Sequence, residues 1–117
     1  MNQIAIVGIG RWGKNLIREF SKLSKVKFCL TTGNKENLNW LRKNYPDVIH
    51  TTQISDILND PTIDALVIAT PIKTHYMLVK KTLESKKHVF VEKPLAKSTP
   101  EINDLIEIAK KNKRTLF

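Results

Sequence analysis

Short apolar runs alternate with segments of helical periodicity along the whole chain, and this alternation constrains the fold more than any other feature. The apolar runs predict buried strands, and they lie at residues 3–7, 26–31, 48–51, 64–69 and 88–92. Residues 115–117 look like the opening of a sixth strand. Alternating strands and helices with short connections require a parallel sheet that is covered on both faces. We therefore predict an α/β fold, a doubly wound parallel sheet of the Rossmann type with strand order 3-2-1-4-5-6.

A glycine pattern follows the first predicted strand. Gly8, Gly10 and Gly13 match G-x-G-x-x-G where this strand gives way to a predicted helix. In that context the first glycine permits a tight turn, the second lets a diphosphate approach the backbone, and the third lets the helix pack closely. Free amides at the helix start then face the phosphates. The pattern predicts a dinucleotide site at Gly8, Ile9, Gly10, Arg11, Trp12 and Gly13, with an ordinary glycine-rich turn as the alternative.

The residues after the second predicted strand bear on the choice of dinucleotide. An acidic residue about 20 positions beyond the glycines would bind the ribose 2′-hydroxyl of NAD. Gly33 occupies that region, and no carboxylate follows until Glu36. Small polar groups and a lysine would accept the 2′-phosphate of NADP, so we favour NADP and keep NAD as the alternative. The candidate residues here are Thr31, Thr32, Gly33, Asn34 and Lys35.

A third candidate segment ends the fourth predicted strand. Ala69, Thr70 and Pro71 lie where the strand order reverses, and His75 follows near the start of the next helix. We expect this loop to run along the cofactor between the diphosphate and the nicotinamide. His75 either belongs to the site or is only a polar residue at a helix start.

The fifth predicted strand ends in Glu92, Lys93 and Pro94. A lysine at that point would face the same crevice, where it could hold a substrate hydroxyl and stabilise negative charge that develops as hydride moves. From spacing alone, a surface lysine before a proline is the favoured interpretation of Lys93.

Composition narrows the range of partners and locations. The net charge is +9, but the basic residues are scattered and no aromatic residues interleave with them, so we do not expect nucleic acid as a partner. The single cysteine, Cys29, lies in an apolar run and predicts a buried thiol in a reducing, cytoplasmic compartment. No apolar stretch is long enough to span a membrane. His50 and His88 have no partners at metal-ligand spacing, so no metal site is predicted.

The chain resembles the N-terminal domain of the Gfo/Idh/MocA oxidoreductases over essentially its whole length. The matching segments are VGIGRWGKNL and DALVIATPIKTHYMLVKKTLESKKHVFVEKPLAKS, together with the helix that follows. The glycine pattern is common to many families, whereas EKP after a strand is much more specific. The versions RWGKN and ATPIKTH are most similar to members that act on nucleotide-linked sugars.

The resemblance implies roles for several residues. It places Lys93 beside the nicotinamide, where it assists catalysis, and it places the Gly8–Gly13 turn, the Thr70–Pro71 loop and His75 along the cofactor groove. Many members carry an aspartate at the end of the second strand. Gly33 departs from that pattern and is similar to the small residue of NADP-using members. The implied reaction is hydride transfer between the nicotinamide and the hydroxyl or ketone of a sugar or nucleotide-sugar.

The length of 117 residues fits one dinucleotide-binding domain, residues 1–117. Family members continue into a C-terminal α/β domain that supplies most of the substrate pocket and usually a catalytic histidine. We expect that domain to be absent from this chain, which would then bind cofactor but turn over poorly unless a partner completes the site. A non-catalytic dinucleotide-binding or regulatory module is the main alternative, and a homo-oligomer stays open.

Overall fold

The computed structural model describes residues 3–31, 34–91 and 95–116, and within these ranges it does not describe the side chains of Arg11 and Trp12. Several predicted site residues lie outside the described residues. These are Thr32, Gly33, Glu92, Lys93 and Pro94.

Strands and helices alternate along the chain as predicted. The strands are β1 (Gln3–Val7), β2 (Lys25–Leu30), β3 (Ile49–Thr51), β4 (Ile63–Ile68) and β5 (His88–Val91). The helices are α1 (Arg11–Ser21), α2 (Lys35–Asn44), α3 (Ile54–Leu58), α4 (His75–Glu84) and α5 (Thr99–Asn112). One 3-10 turn, Ile72–Thr74, directly precedes α4.

The described residues form one parallel sheet of five strands in the order β3-β2-β1-β4-β5. This arrangement confirms the predicted doubly wound fold, but the prediction of a sixth strand at residues 115–117 is wrong for the described part. Leu116 makes only an isolated parallel bridge to Val89, and Phe117 lies outside the described residues. The reason is the late end of α5: the helix runs to Asn112 and its C-cap, Lys113, is left-handed (φ 54°), so the chain reaches the edge of β5 only at Thr115 and Leu116.

Alternate side chains of the strands build two core layers, one on each face of the sheet. Ile4 and Ile6 point to the face covered by α1 and α2, whereas Ala5 and Val7 point to the face covered by α3, α4 and α5. All four side chains are buried, as expected for a doubly covered strand. Because β1 pairs with β2 on one side and with β4 on the other, the turn that follows Val7 is held between these two strands.

Cys29 belongs to the layer beneath α1 and α2. Its side chain is fully buried, and desolvation raises the pKa of the thiol to about 12. The thiolate is the nucleophilic form of cysteine, so this residue is chemically inert in the folded chain. The prediction of a buried structural thiol is confirmed.

Lys27 is an extra residue in β2 that ties this strand to the loop between α3 and β4. Ile4 pairs with Val26 and Ala5 pairs with Phe28, so Lys27 has no partner across the β1–β2 ladder. Its ammonium group lies 2.7 Å from the Asp60 carboxylate and donates to the Thr62 hydroxyl at 2.9 Å. These contacts hold the pKa of Asp60 well below its usual range, chiefly through the bond from Lys27.

Lys87 joins the amino ends of β4 and β5 from inside the protein. It is only 4% exposed, and its Nζ donates to the carbonyl oxygens of Asp60 and Ile63, each at 2.7 Å. Burial lowers the pKa of Lys87, and the charges of Asp60 and Asp64 oppose this shift. The lysine therefore fixes the base of the two strands whose opposite ends carry the candidate site.

Replacing Lys87 by methionine should destabilise the domain without altering its ligand affinity. The carbonyl oxygens of Asp60 and Ile63 would lose the bond from Nζ, and because the bond to Ile63 is buried, this loss costs about 1–3 kcal/mol of unfolding free energy. Urea denaturation measures this loss, and Lys86→Met is the matched control because the neighbouring side chain is exposed. Equal stability of the Lys87 variant and the wild type would show that the two bonds do not hold the strands together.

Candidate cofactor-binding site

The turn between β1 and α1 is a tight corner that requires glycine at Gly8. Its φ is +99°, a left-handed conformation that side chains rarely adopt, and its N–H donates to the carbonyl of Leu30 at 2.8 Å. A Cβ placed there would lie 3.0 Å from both the Ala69 carbonyl oxygen and Cγ2 of Thr70. Gly8 therefore lets the end of β1 pack directly against the segment that follows β4.

Gly13 lets α1 begin directly on top of this turn. A Cβ at Gly13 would lie 2.1 Å from the carbonyl oxygen of Gly8, which is far inside van der Waals contact. The first turn of the helix is therefore in contact with the backbone of the preceding turn. Only glycine permits this close approach, which is the packing role that the sequence pattern predicts for the third glycine.

Gly10 differs from the other two glycines because a side chain there would meet nothing within 4 Å. It is the N-cap of α1, it makes no side-chain cap bond, and the first helical turn contains no acidic residue. The first amides of a helix have no intrahelical acceptor and carry positive partial charge. The bare corner at Gly10 thus leaves these amides open to an anion, and it fits the diphosphate of a dinucleotide.

A cleft of about 270 Å³ opens at this corner, between the carboxyl ends of β1, β2 and β4. It is the crevice expected where the strand order of the sheet reverses. The residues that form its walls are Gly8, Ile9, Gly10, Leu30, Thr31, Asn37, Ala69, Thr70 and Pro71. The structure thus brings together, in one crevice, residues from three of the segments selected from the sequence.

Of the described residues that directly follow β2, one lines the cleft and two do not. Thr31 is buried and lines the cleft, whereas Asn34 and Lys35 are exposed and are not part of its walls. Asn34 is the N-cap of α2, and its side-chain oxygen accepts a bond from the backbone N–H of Asn37 at 3.1 Å. The cationic Lys35 is the first residue of α2, two positions before Asn37, which lines the cleft. The described part of this region contributes no carboxylate to the cleft walls.

Asn37 and Leu30 line the cleft but are absent from the residues selected by sequence reasoning. Leu30 ends β2 and was counted only as part of an apolar run. Asn37 lies three positions after the N-cap of α2, and its backbone N–H donates to the side chain of that N-cap. Placing that N-cap at Asn34 would have drawn attention to Asn37, because side-chain caps bond the amide two or three residues onward.

The remaining predicted site residues lie behind the cleft or beyond the described chain. His75 is only 3% exposed and is bonded to the Thr70 carbonyl rather than presented at the surface. β5 ends at Val91, which pairs with Ile68 at the end of β4. The chain therefore leaves β5 at the same edge of the sheet as the cleft, two residues before Lys93, which itself lies outside the described residues.

Neither His50 nor His88 lies in a cluster of metal-ligating side chains among the described residues. Nδ1 of His88 accepts a bond from the Thr115 amide at 2.9 Å, and Nε2 of His50 is buried without a partner among the described residues. In the described ranges no three His, Cys, Asp or Glu residues cluster so that they could hold a metal ion. None of the helices described here is both long and apolar enough to cross a membrane.

Comparison with known proteins finds that the chain is similar to about a third of several oxidoreductases. YrbE of Bacillus subtilis, an uncharacterized oxidoreductase, is 32% identical over 113 residues, which are 95% of this chain and 33% of that protein. Myo-inositol 2-dehydrogenase of Thermotoga maritima is 25% identical over 116 residues, 98% of this chain and 35% of the relative. The chain thus spans about a third of the length of these relatives.

Solved structures share the fold. Biliverdin reductase from Synechocystis sp. PCC 6803, in complex with biliverdin and NADP+, superposes with a TM-score of 0.89 at 24% identity, over 97% of this chain and 36% of that one. The family model for the Gfo/Idh/MocA oxidoreductase family, NAD-binding Rossmann fold, matches residues 2–117. With the glycine corner and the open cleft, these matches show that the chain belongs to the Gfo/Idh/MocA oxidoreductase family and is its NAD-binding Rossmann domain.

Proposed function

We propose that this domain binds NADP in preference to NAD and serves an oxidoreductase that acts on the hydroxyl or ketone of a sugar or nucleotide-sugar. The observation that supports the proposal is the start of α1 at Gly10, an N-cap without a side chain, which lines the cleft. When bound, the nicotinamide would supply or accept the hydride. The sugar class is supported by the resemblance to nucleotide-sugar enzymes and by the match to myo-inositol 2-dehydrogenase.

Different groups around the cleft would bind different parts of the cofactor. The amides at Gly10 and the start of α1 would hold the diphosphate, because a helix N-terminus favours an anion. Thr31 and Asn37 lie on the side of β2, where the adenosine half would contact hydroxyl and amide groups. Thr70 and Pro71 form the opposite wall. Together these contacts would orient the cofactor along the carboxyl edge of the sheet.

The preference for NADP rests on charge at the β2 side of the cleft. A 2′-phosphate adds negative charge beside the adenosine ribose, and a carboxylate there would repel it. From Thr31 to Lys35 the chain carries no acidic residue, and Lys35 begins α2, whose N-terminus is itself positive. Both features favour the phosphorylated ribose.

Titration with NADPH and with NADH tests the proposal, with isothermal calorimetry as the measurement. We expect NADPH to bind about tenfold more tightly, a difference of about 1.4 kcal/mol. Gly33→Asp should reverse this preference by placing a carboxylate where NAD-dependent relatives of this fold have one. Absence of binding to both dinucleotides would remove the proposed function, whereas tighter binding of NADH would overturn only the preference for NADP.

Lys93 is the residue we propose for chemistry on the substrate. β5 ends at Val91, at the carboxyl edge of the sheet beside β4, and Lys93 comes two residues later in the sequence. A protonated Nζ could donate to the substrate oxygen and stabilise negative charge on it as hydride moves. The remainder of the substrate pocket would come from outside this domain, because hydride transfer needs both reactants oriented and shielded from water.

A further inference from the structure

His75 is placed to act on the cleft through the backbone rather than by contact with a ligand. It is the first residue of α4, and its Nε2 lies 2.7 Å from the carbonyl oxygen of Thr70. A carbonyl oxygen can only accept, so Nε2 carries a proton and donates it to this bond. Because the side chain is 3% exposed, it does not reach the open space of the cleft. His75 can therefore act on the cleft wall through its bond to Thr70.

Hydrogen bonds from the 3-10 turn before α4 also fix the segment of Thr70 and Pro71. The Thr74 hydroxyl donates to the Pro71 carbonyl oxygen at 2.7 Å, and the Thr74 amide donates to that oxygen at 2.9 Å. The hydroxyls of Thr70 and Thr74 are 2.6 Å apart. Since the Thr74 proton is used on Pro71, the Thr70 hydroxyl donates to Thr74. We call the bonds made by His75, Thr74 and Thr70 the loop clamp.

The loop clamp occupies the two carbonyl oxygens at the wall that faces the glycine corner. Thr70 and Pro71 line the cleft opposite Gly10, and Thr70 already packs closely against Gly8. A diphosphate held at Gly10 would lie next to this wall. A backbone carbonyl aimed into the cleft would place negative partial charge against that anion.

We propose that His75 is a positioning residue for dinucleotide binding: it keeps the Thr70 carbonyl turned away from the cleft so that the wall accepts an anion. The inference rests on the proposed function, because it requires a diphosphate at the glycine corner. It assigns His75 no contact with the cofactor. The effect should be lost when the Nε2–H donor is lost, and it should return with any side chain that restores a donor at that point.

The test compares NADPH affinities of four variants with that of the wild type, by calorimetry at a temperature where all are folded. His75→Ala should weaken binding about tenfold, since a released carbonyl can turn towards the anion. His75→Gln should recover most of the affinity, because its amide N–H can reach the Thr70 oxygen. Thr74→Val removes the hydroxyl bond to Pro71 and should weaken binding severalfold. It also gives an independent test if His75→Ala does not fold.

Thr82→Ala is the matched structural control. Thr82 is fully buried on the same helix, and its hydroxyl donates to the Leu78 carbonyl at 2.7 Å, away from the cleft. This variant should lower the thermal midpoint and leave the affinity for NADPH unchanged. A loss of affinity in Thr82→Ala as large as in His75→Ala would reduce the effect to general destabilisation and overturn the positioning role.

The remaining outcomes separate the two proposals. If the wild type binds NADPH, and His75→Ala and Thr74→Val bind it as tightly as the wild type does, the positioning role is wrong and the proposed function stands. If His75→Gln binds as weakly as His75→Ala, the donor to Thr70 is not what matters, and the positioning role is again wrong. If the wild type binds neither NADPH nor NADH, the failure lies with the proposed function itself.

Discussion

Gly13→Ala should damage this domain more than any other single methyl group added to the glycine corner. The new Cβ would lie 2.1 Å from the Gly8 carbonyl oxygen, and neither can turn aside, because the oxygen belongs to the backbone and the Cβ is bonded directly to Cα. Either α1 shifts away from β1 or the Gly8 turn opens. We expect a loss of about 3 kcal/mol or more in unfolding free energy, as for other severe steric substitutions, and at least ~100-fold weaker binding of NADPH. Urea denaturation and calorimetry measure the two effects.

Gly10→Ala is the matched control for this substitution. The same methyl group at Gly10 would meet none of the described atoms within 4 Å, so the free energy of unfolding should fall only by the ~1 kcal/mol that alanine costs at an N-cap. The methyl group would instead project where the cofactor is expected, and the affinity should fall more than the stability. Similar stabilities of the Gly13 and Gly10 variants would contradict the close approach of α1 to the turn.

Lys93→Ala should have the second large effect, on turnover rather than on folding. If Nζ stabilises charge on the substrate oxygen, its removal should lower kcat about 10²- to 10³-fold, the range seen when a donor to a developing oxyanion is lost. The NADPH dissociation constant should stay within about threefold of the wild-type value, because we expect the diphosphate to bind at the glycine corner rather than at Lys93. Steady-state kinetics on a form of the protein that turns over substrate, with calorimetry on the same variant, provides the measurement.

Lys73→Ala controls for the loss of a positive charge near the cleft. Lys73 is exposed in the 3-10 turn before α4, so its removal should leave kcat unchanged. Unaltered kcat in Lys93→Ala would show that Lys93 takes no part in the chemistry and that this domain contributes dinucleotide binding alone. A parallel fall in kcat for both lysines would indicate a general electrostatic effect on substrate approach.

Local patterns sufficed to predict the sheet and the glycine corner. An apolar run, a glycine spacing and a helical period are each contained in a few neighbouring residues, so β1, the turn at Gly8 and α1 could be located before any contact was known. The prediction of a sixth strand was wrong because that strand is not determined by its own neighbouring residues alone. Its extent depends on where α5 ends, and the left-handed Lys113 cap carries no distinctive signal in a lysine-rich segment.

Contacts between distant segments could not be predicted in the same way. Lys87 looks like one more surface lysine, and only the fold brings it within bonding distance of carbonyl groups that lie 24 and 27 residues earlier. His75 was considered for the cofactor groove because it follows Thr70 closely in sequence. Whether its ring turns outward or inward depends on how α4 packs, and the structure turns it inward.

The bonds of Lys27, Asp60 and Lys87 lie at the amino ends of the strands, whereas the cleft lies at their carboxyl ends. A strand of six residues separates these regions by about 20 Å. Substitutions this far apart with no shared partners usually act additively. Heat resistance and cofactor selectivity can therefore evolve, or be engineered, on opposite rims of this domain with little trade-off between them.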